Sequence, residues 1–140
     1  MAGGFQKLFS QDGQPAMMKN ILLVGLGGGL GSIARYLCQR WMLMMYPHSF
    51  PIGTFTVNII GCFLIGLFWG LSFKSFEDNE SWKIFLMTGL CGGFTTFSAF
   101  TLEGIGLIKE QKTGLFILYI GGSVVAGLVA TYIGMKIIRP

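Results

Sequence analysis

Four apolar stretches dominate the sequence, and each is long enough to cross a lipid bilayer as a helix. They cover residues 21–45, 52–73, 82–108 and 115–138. About 20 helical residues span the hydrocarbon core, and a backbone in lipid has to satisfy its hydrogen bonds internally. The sequence therefore predicts an all-α membrane domain of four spans over residues 21–140, preceded by a polar tail over residues 1–20.

The composition excludes most soluble classes of protein. Charged residues make up only 11% of the chain and hydrophobic residues 52%, whereas soluble domains carry about 25% charged residues. The three cysteines lie inside apolar stretches, which argues against a disulfide framework. No nucleophile–base pair and no Cys/His metal spacing is present, and the net charge of +4 is scattered. We therefore predict a protein that is not an enzyme and has no nucleic-acid partner.

The distribution of basic residues is only weak evidence for one orientation in the membrane. With four spans, the side holding both termini carries Lys7, Lys19, Lys74, Lys83, Lys136 and Arg139. The opposite side carries Arg35, Arg40, Lys109 and Lys112. Orientation follows the excess of Lys and Arg on the cytoplasmic side, so a chain this balanced can insert both ways. The charges alone do not exclude the alternative, which is a single orientation with a weak bias.

Glycine is unusually frequent, with 22 residues, and many glycines recur at four-residue spacing. The small-xxx-small pairs are Gly25/Gly29, Gly27/Gly31, Gly66/Gly70, Gly89/Gly93 and Gly122/Ala126. Such pairs let membrane helices approach closely. This density indicates a tightly packed bundle and favours an oligomer.

The third stretch is the least regular. Glycine pairs followed by two threonines are poor helix formers, so a break is predicted near residues 92–95. A break would leave backbone carbonyls inside the membrane, where a bound cation could satisfy them. Phe94, Phe97 and Phe100 recur every third residue and are predicted to share a face. On the pattern alone, such a stripe is more often lipid-facing or core.

Few polar side chains lie at membrane depth. Arg35 is either a structural charge or a residue that concentrates anions in a vestibule, and Asn58 either joins two helices or lines an anion path. The fourth stretch carries a stripe at four-residue steps, formed by Tyr119, Ser123, Gly127 and Thr131. Glu103 is the only carboxylate inside an apolar stretch. A proton-driven pump generally needs a deeper one, so a passive path is favoured.

Three motifs follow one another on the first three stretches. They are Gly28-Gly29-x-Gly31-x-x-x-Arg35-Tyr36, Gly53-Thr54-x-x-Val57-Asn58-x-x-Gly61 and Gly92-Gly93-Phe94-Thr95-Thr96-Phe97-Ser98. In this order they resemble the Fluc (CrcB) family of fluoride channels. The resemblance extends over nearly the whole chain after the tail.

The resemblance implies an antiparallel, dual-topology homodimer with two fluoride pores and a central structural sodium ion. It places the sodium on the backbone carbonyls of Gly92 and Thr95, and an arginine near the vestibule at Arg35. The residues it assigns to the fluoride pore are Asn58, Phe97, Phe100, Ser98, Thr101, Tyr119, Ser123 and Thr131. Ala99 and Gly127 stand where the family commonly carries hydroxyl residues.

The function implied is passive, selective export of cytoplasmic fluoride across the bacterial cytoplasmic (inner) membrane. Hydroxyl and amide donors and the positive edges of phenyl rings can replace water around fluoride without binding it too tightly to release. The alternative is a small multidrug-type secondary transporter, which also uses four short helices. It would be expected to carry a deep carboxylate in the first helix, where this chain has Arg35 instead. A scaffold subunit without transport activity is a third possibility.

Overall fold

The computed structural model describes residues 14–46, 50–72 and 79–138. Within them the chain forms four long helical spans, which are α1 (Gln14–Met45), α2 (Ile52–Ser72), a third span (Glu80–Lys109) and α6 (Thr113–Ile138). The third span consists of α3 (Glu80–Lys83), a π-helical segment (Ile84–Cys91), α4 (Gly92–Phe94) and α5 (Phe97–Lys109). All four spans are long and apolar enough to cross a membrane.

The predicted spans are confirmed, with one displaced boundary. Three spans agree with the prediction to within two residues at each end. The first helix begins at Gln14 and not at residue 21, so part of the predicted polar tail is helical. Residues 14–20 contain no glycine, and Pro15 lies in the first turn, where its missing N–H has no helical partner to lose. The remainder of the tail, residues 1–13, lies outside the described residues.

Two pairs of spans are in backbone contact through glycines. A β-carbon at Gly27 would lie 2.6 Å from the carbonyl oxygen of Phe85, and one at Gly31 would collide with the carbonyl of Leu90. Gly66 and Gly134 allow the same approach between α2 and α6. By contrast, Gly25, Gly29 and Gly122 have no atom within 4 Å of such a β-carbon. The predicted close packing is therefore made by some of the small-residue pairs and not by others.

The outer surface of the chain is apolar. Leu26, Leu102 and Leu128 are 65%, 75% and 69% exposed. A surface this hydrophobic is stable in contact with lipid tails or with another protein, and not with water. Together with the four spans, it defines a multi-pass membrane protein.

The third span is interrupted at Thr95 and Thr96, which both adopt extended backbone conformations. The interruption confirms the predicted bend, at the carboxyl end of the predicted range and one residue beyond it. It separates Phe94, which is 8% exposed, from Phe97, which is 76% exposed. The expectation that Phe94 shares a face with Phe97 and Phe100 is therefore wrong, because the helix does not continue between them.

A tight turn reverses the chain between α5 and α6. Gln111 adopts a left-handed conformation with φ of 60°, and the Lys112 N–H donates to the Leu107 carbonyl at 2.9 Å. This arrangement is a helix C-terminal cap, in which carbonyls left over at the helix end find donors. It brings α6 back along α5, so that Tyr119 meets Glu103.

Candidate functional site: a groove beside the interrupted helix

The side chain of Asn58 on α2 pairs with the backbone at the interruption. Asn58 Oδ1 accepts from the Thr96 N–H at 2.8 Å, and Asn58 Nδ2 donates to the Thr96 carbonyl at 3.1 Å. One amide therefore pairs with both backbone groups of Thr96, whose N–H has no helical acceptor because this residue is the N-cap of α5. The structure therefore contains the hydrogen bonds between helices that were one of the two roles considered for Asn58. A primary amide carries two N–H donors, so one remains for another partner.

The carbonyls of residues 92–95 lose their helical donors at the interruption, because the last four carbonyls of a helix have no partner within it. In a continuous α-helix the Thr96 N–H would bond to the Gly92 carbonyl and the Ala99 N–H to the Thr95 carbonyl. The Thr96 N–H instead donates to Asn58, and the Ala99 N–H donates to Thr96 Oγ1 at 3.3 Å. Gly92 and Thr95 are among these displaced carbonyls, and they are the two that the family resemblance assigns to a sodium site.

An open groove of about 410 Å³ lies beside the interruption. It is lined by α2, the third span and α6, and four of the predicted pore residues contribute to it: Asn58, Phe97, Phe100 and Ser123. Gly92 and Thr95 line it as well. None of the described residues on its wall is charged.

Aromatic rings form a continuous row from the groove into the interior. Phe97 and Phe100 are 5.8 Å apart between ring centroids, and Phe100 lies 5.0 Å from Tyr119. Tyr119 is fully buried and meets Phe50 edge to face at 5.5 Å. Phe100 is thus held by a rigid neighbour, whereas Phe97 stands out from the surface of this chain.

The predicted hydroxyl residues occupy different environments. Ser98 and Thr101 are exposed on α5, where Thr101 Oγ1 donates to the Ser98 carbonyl at 3.0 Å. Thr131 Oγ1 donates to the Cys62 carbonyl at 3.0 Å, across the α2–α6 contact. Ser123 Oγ is buried and has no hydrogen-bond partner among the described residues. Of the predicted hydroxyls, that of Ser123 is therefore the one that lines the groove and is free to bind a ligand.

The hydroxyl of Tyr119 belongs to a hydrogen-bond network that is not predicted from the sequence. Tyr119 Oη and Thr54 Oγ1 each donate to the Glu103 carboxylate at 2.7 Å. Gln39 Nε2 in turn donates to Thr54 Oγ1 at 3.0 Å. The signal that could have found this network is Glu103 itself, a lone carboxylate in an apolar span that needs donors nearby.

Arg35 stands apart from these groups. It is half-buried on α1, and no described residue forms a hydrogen bond or an ion pair with its guanidinium. The structure does not bring it together with the groove residues, so its vestibule role stays a prediction.

The fold and the groove define a small multi-pass membrane protein in which uncharged polar and aromatic groups face a cavity between helices. This is the kind of lining by which membrane proteins select ions. Residues 22–135 match the family described as CrcB-like protein, Camphor Resistance (CrcB).

Curated relatives carry the name "Fluoride-specific ion channel FluC". The protein of Flavobacterium psychrophilum is 47% identical over 122 residues, which cover 87% of this chain and 98% of the relative. That of Azobacteroides pseudotrichonymphae is 43% identical over 118 residues, covering 84% and 94%. That of Phocaeicola vulgatus is 45% identical over 118 residues, covering 84% and 97%. The chain belongs to the CrcB (FluC) family, a family of channels and not of enzymes.

Proposed function

We propose that this protein is a passive, fluoride-selective channel through which cytoplasmic fluoride leaves the cell. The observation that carries the proposal is the lining of the groove. An amide with a spare N–H (Asn58), a hydroxyl without a partner (Ser123) and two phenyl rings (Phe97 and Phe100) face one cavity without a charged neighbour on its wall. Membership of the CrcB family, in which curated relatives are named fluoride-specific ion channels, supports the same conclusion.

The chemistry of this lining suits a small, strongly hydrated anion. Losing hydration is costly, so fluoride needs short hydrogen bonds from amide and hydroxyl donors along its path. The edge of a phenyl ring carries partial positive charge and offers a weaker contact. Conduction requires sites that an ion can leave, and a wall without positively charged side chains meets that condition.

We infer that two copies form an antiparallel, dual-topology homodimer with two pores. The weak bias of basic residues allows both orientations in the membrane. The groove is open on one side, and Phe97 on its wall is 76% exposed in this chain. A second copy of the chain against that side would turn the open groove into an enclosed path.

A central sodium ion fits the carbonyls at the interruption. Hard cations take oxygen ligands, and the Gly92 and Thr95 carbonyls are oxygens whose helical donors have gone elsewhere. Gly92 is also exposed on this chain, where a partner copy could meet it. Bound there, sodium would supply a fixed positive charge near the path of the anion.

The remaining proposed roles follow the family resemblance. The resemblance also assigns Ser98, Thr101, Tyr119 and Thr131 to the hydroxyl track. The hydroxyl protons of Thr101, Tyr119 and Thr131 are donated to protein oxygens in this chain, so these residues contribute to the track only when those hydrogen bonds exchange. Arg35 raises the local concentration of anions at the vestibule. The charge is unpaired within the described chain, as an attracting charge has to be.

Fluoride efflux from liposomes that contain the purified protein tests the proposal. A fluoride electrode should record rapid efflux when the membrane potential is clamped, with no proton gradient, and chloride-loaded liposomes should show none. Efflux that requires a proton gradient would point to a secondary transporter. Absence of efflux from well-folded protein would overturn the proposed function.

A further inference from the structure

Three sulfur-containing side chains line the groove and have no part in the proposed fluoride path. Cys62 lies on α2, and Met87 and Cys91 lie on the π-helical segment of the third span. All three face the same cavity of about 410 Å³. Cys62 and Cys91 are free thiols and form no disulfide.

The three sulfurs are gathered from two sides of the cavity. Met87 and Cys91 are four residues apart on one helical segment, so they share a face, and they are only 4% and 3% exposed. Cys62 approaches the same cavity from α2. Gly127 leaves room beside it, since a β-carbon there would be 3.3 Å from Cys62 Sγ.

We propose that Cys62, Cys91 and Met87 form a binding site for soft monovalent cations, the class that contains Ag⁺ and Cu⁺. Thiolate and thioether sulfurs select such ions, whereas the carbonyl oxygens of the groove suit hard ones. On binding, Ag⁺ forms a bond to one thiol sulfur, and that thiol releases its proton to water. Neither sulfur nor metal changes oxidation state. The second thiol and the Met87 thioether complete the site as neutral donors.

An ion bound there has a consequence for transport, and this consequence alone rests on the proposed function. The sulfurs share the cavity with Asn58, Phe97 and Ser123. A metal–thiolate group in this space would occupy the volume that fluoride has to cross. We therefore expect soft cations to block fluoride efflux.

Binding is tested first, on purified protein without any fluoride gradient. The probe is Ag⁺ added as nitrate in chloride-free buffer, because chloride precipitates silver. The number of bound ions is measured by native mass spectrometry. Cys38 on α1 does not line the groove and supplies the matched control. Because the free Cys38 thiol can itself hold Ag⁺, the Cys38→Ser variant should still keep at least one Ag⁺ per chain, and the double variant Cys62→Ser/Cys91→Ser should bind one Ag⁺ per chain fewer than the wild type.

The Met87→Leu variant removes the thioether and keeps every cysteine. It therefore distinguishes a site built from three sulfurs from binding by the thiols alone. It should weaken Ag⁺ binding by at least about tenfold, a loss seen even for groups that only support a ligand. Unchanged binding in both Met87→Leu and the double cysteine variant would overturn the proposal, as would complete loss of Ag⁺ binding in Cys38→Ser.

The transport arm uses the liposome assay with the wild-type protein and Cys38→Ser. Micromolar Ag⁺ should stop fluoride efflux in both, and the double variant should be insensitive in whatever efflux it retains. Ag⁺ that binds at the sulfurs without slowing efflux would overturn the block. Absence of efflux before silver is added concerns the proposed function and leaves the binding result intact.

Discussion

Asn58 is joined to Thr96 by two hydrogen bonds, in which one side-chain amide pairs with both the N–H and the carbonyl of the same residue. The Thr96 N–H and carbonyl are both satisfied, at 2.8 and 3.1 Å. In lipid, no water is available to do this, so an interrupted helix is stable only where protein supplies the partners. Asn58 is therefore the residue that permits the third span to break, and the break in turn exposes the carbonyls of Gly92 and Thr95.

Replacing Asn58 with leucine should destabilise the protein by about 2 kcal/mol, because the buried Thr96 N–H loses its acceptor. The matched control is Thr131→Val. It also deletes an interhelical hydrogen bond, but the Cys62 carbonyl lies within helix α2, so its loss should cost under about 1 kcal/mol. Unfolding in detergent, followed by circular dichroism, measures both. Equal stability of the two variants would contradict the assigned role of Asn58.

Phe97→Ile and Phe100→Ile should each slow fluoride efflux by roughly tenfold or more while the protein stays assembled. Isoleucine fills similar space but has no positively polarised edge, and the loss of about 1.4 kcal/mol in the barrier corresponds to tenfold in rate. Phe55→Ile is the control, because Phe55 packs against Phe50 and does not line the groove. If both groove variants conduct at the wild-type rate, these rings do not line the pore.

Glu103 and Tyr119 should be energetically coupled. Their hydrogen bond, at 2.7 Å, lies beside a fully buried ring. In a double-mutant cycle of Glu103→Gln and Tyr119→Phe, we expect an interaction energy of about 1 kcal/mol. The free energies of unfolding of the four proteins give this value. Strict additivity of the two substitutions would show that the contact contributes nothing to stability.

Gly93→Ala should be severely destabilising, since its β-carbon would lie 2.8 Å from Gly28 Cα and collide with the Gly28 carbonyl. Backbone cannot yield as a flexible side chain can, so α1 and the third span would have to separate. Gly106→Ala, with no atom within 4 Å, should instead be neutral or stabilising by up to about 1 kcal/mol. Melting temperatures of the two variants check the contrast, and similar values would argue against the close crossing.

Removing sodium should lower the stability of the assembled protein. The proposed ligands are backbone carbonyls, so changing the ion tests them more directly than changing a side chain. A ligand that binds only the folded state stabilises it by about 2.7 kcal/mol at a hundred times its dissociation constant. Thermal unfolding should therefore occur at a lower temperature in choline chloride than in sodium chloride at equal ionic strength. Identical curves would count against the site.

The sequence was sufficient for the spans because apolar length alone decides them. It also located the interruption, because adjacent glycines and threonines are poor helix formers. It could not show that Asn58 pairs with Thr96, since 38 residues separate them and either of its two roles was open. Nor did it predict the π-helical segment Ile84–Cys91, which has no distinctive composition.

The network around Glu103 was missed for a related reason. Glu103 was a signal for nearby donors, but a carboxylate near the end of a span can also reach water, so its place in the chain did not decide between the two. The turn at Gln111 brings Tyr119 to Glu103. This turn has a left-handed conformation at a residue that is not glycine, so the sequence carries no glycine that would indicate it. Side chains that meet through a turn of this kind are visible only once the backbone is known.

The pairing of Asn58 with Thr96 also bears on how the chain is made. A broken helix is a poor candidate for insertion into lipid by itself, because its unpaired backbone groups are costly there. The polypeptide is synthesised from its amino terminus, so α2 is complete before the third span emerges. The Asn58 amide, which pairs with the backbone at the interruption, is therefore already in place when the interrupted helix enters the bilayer. The order of the helices along the chain thus has Asn58 synthesised before the interruption at Thr95 and Thr96 that it stabilises.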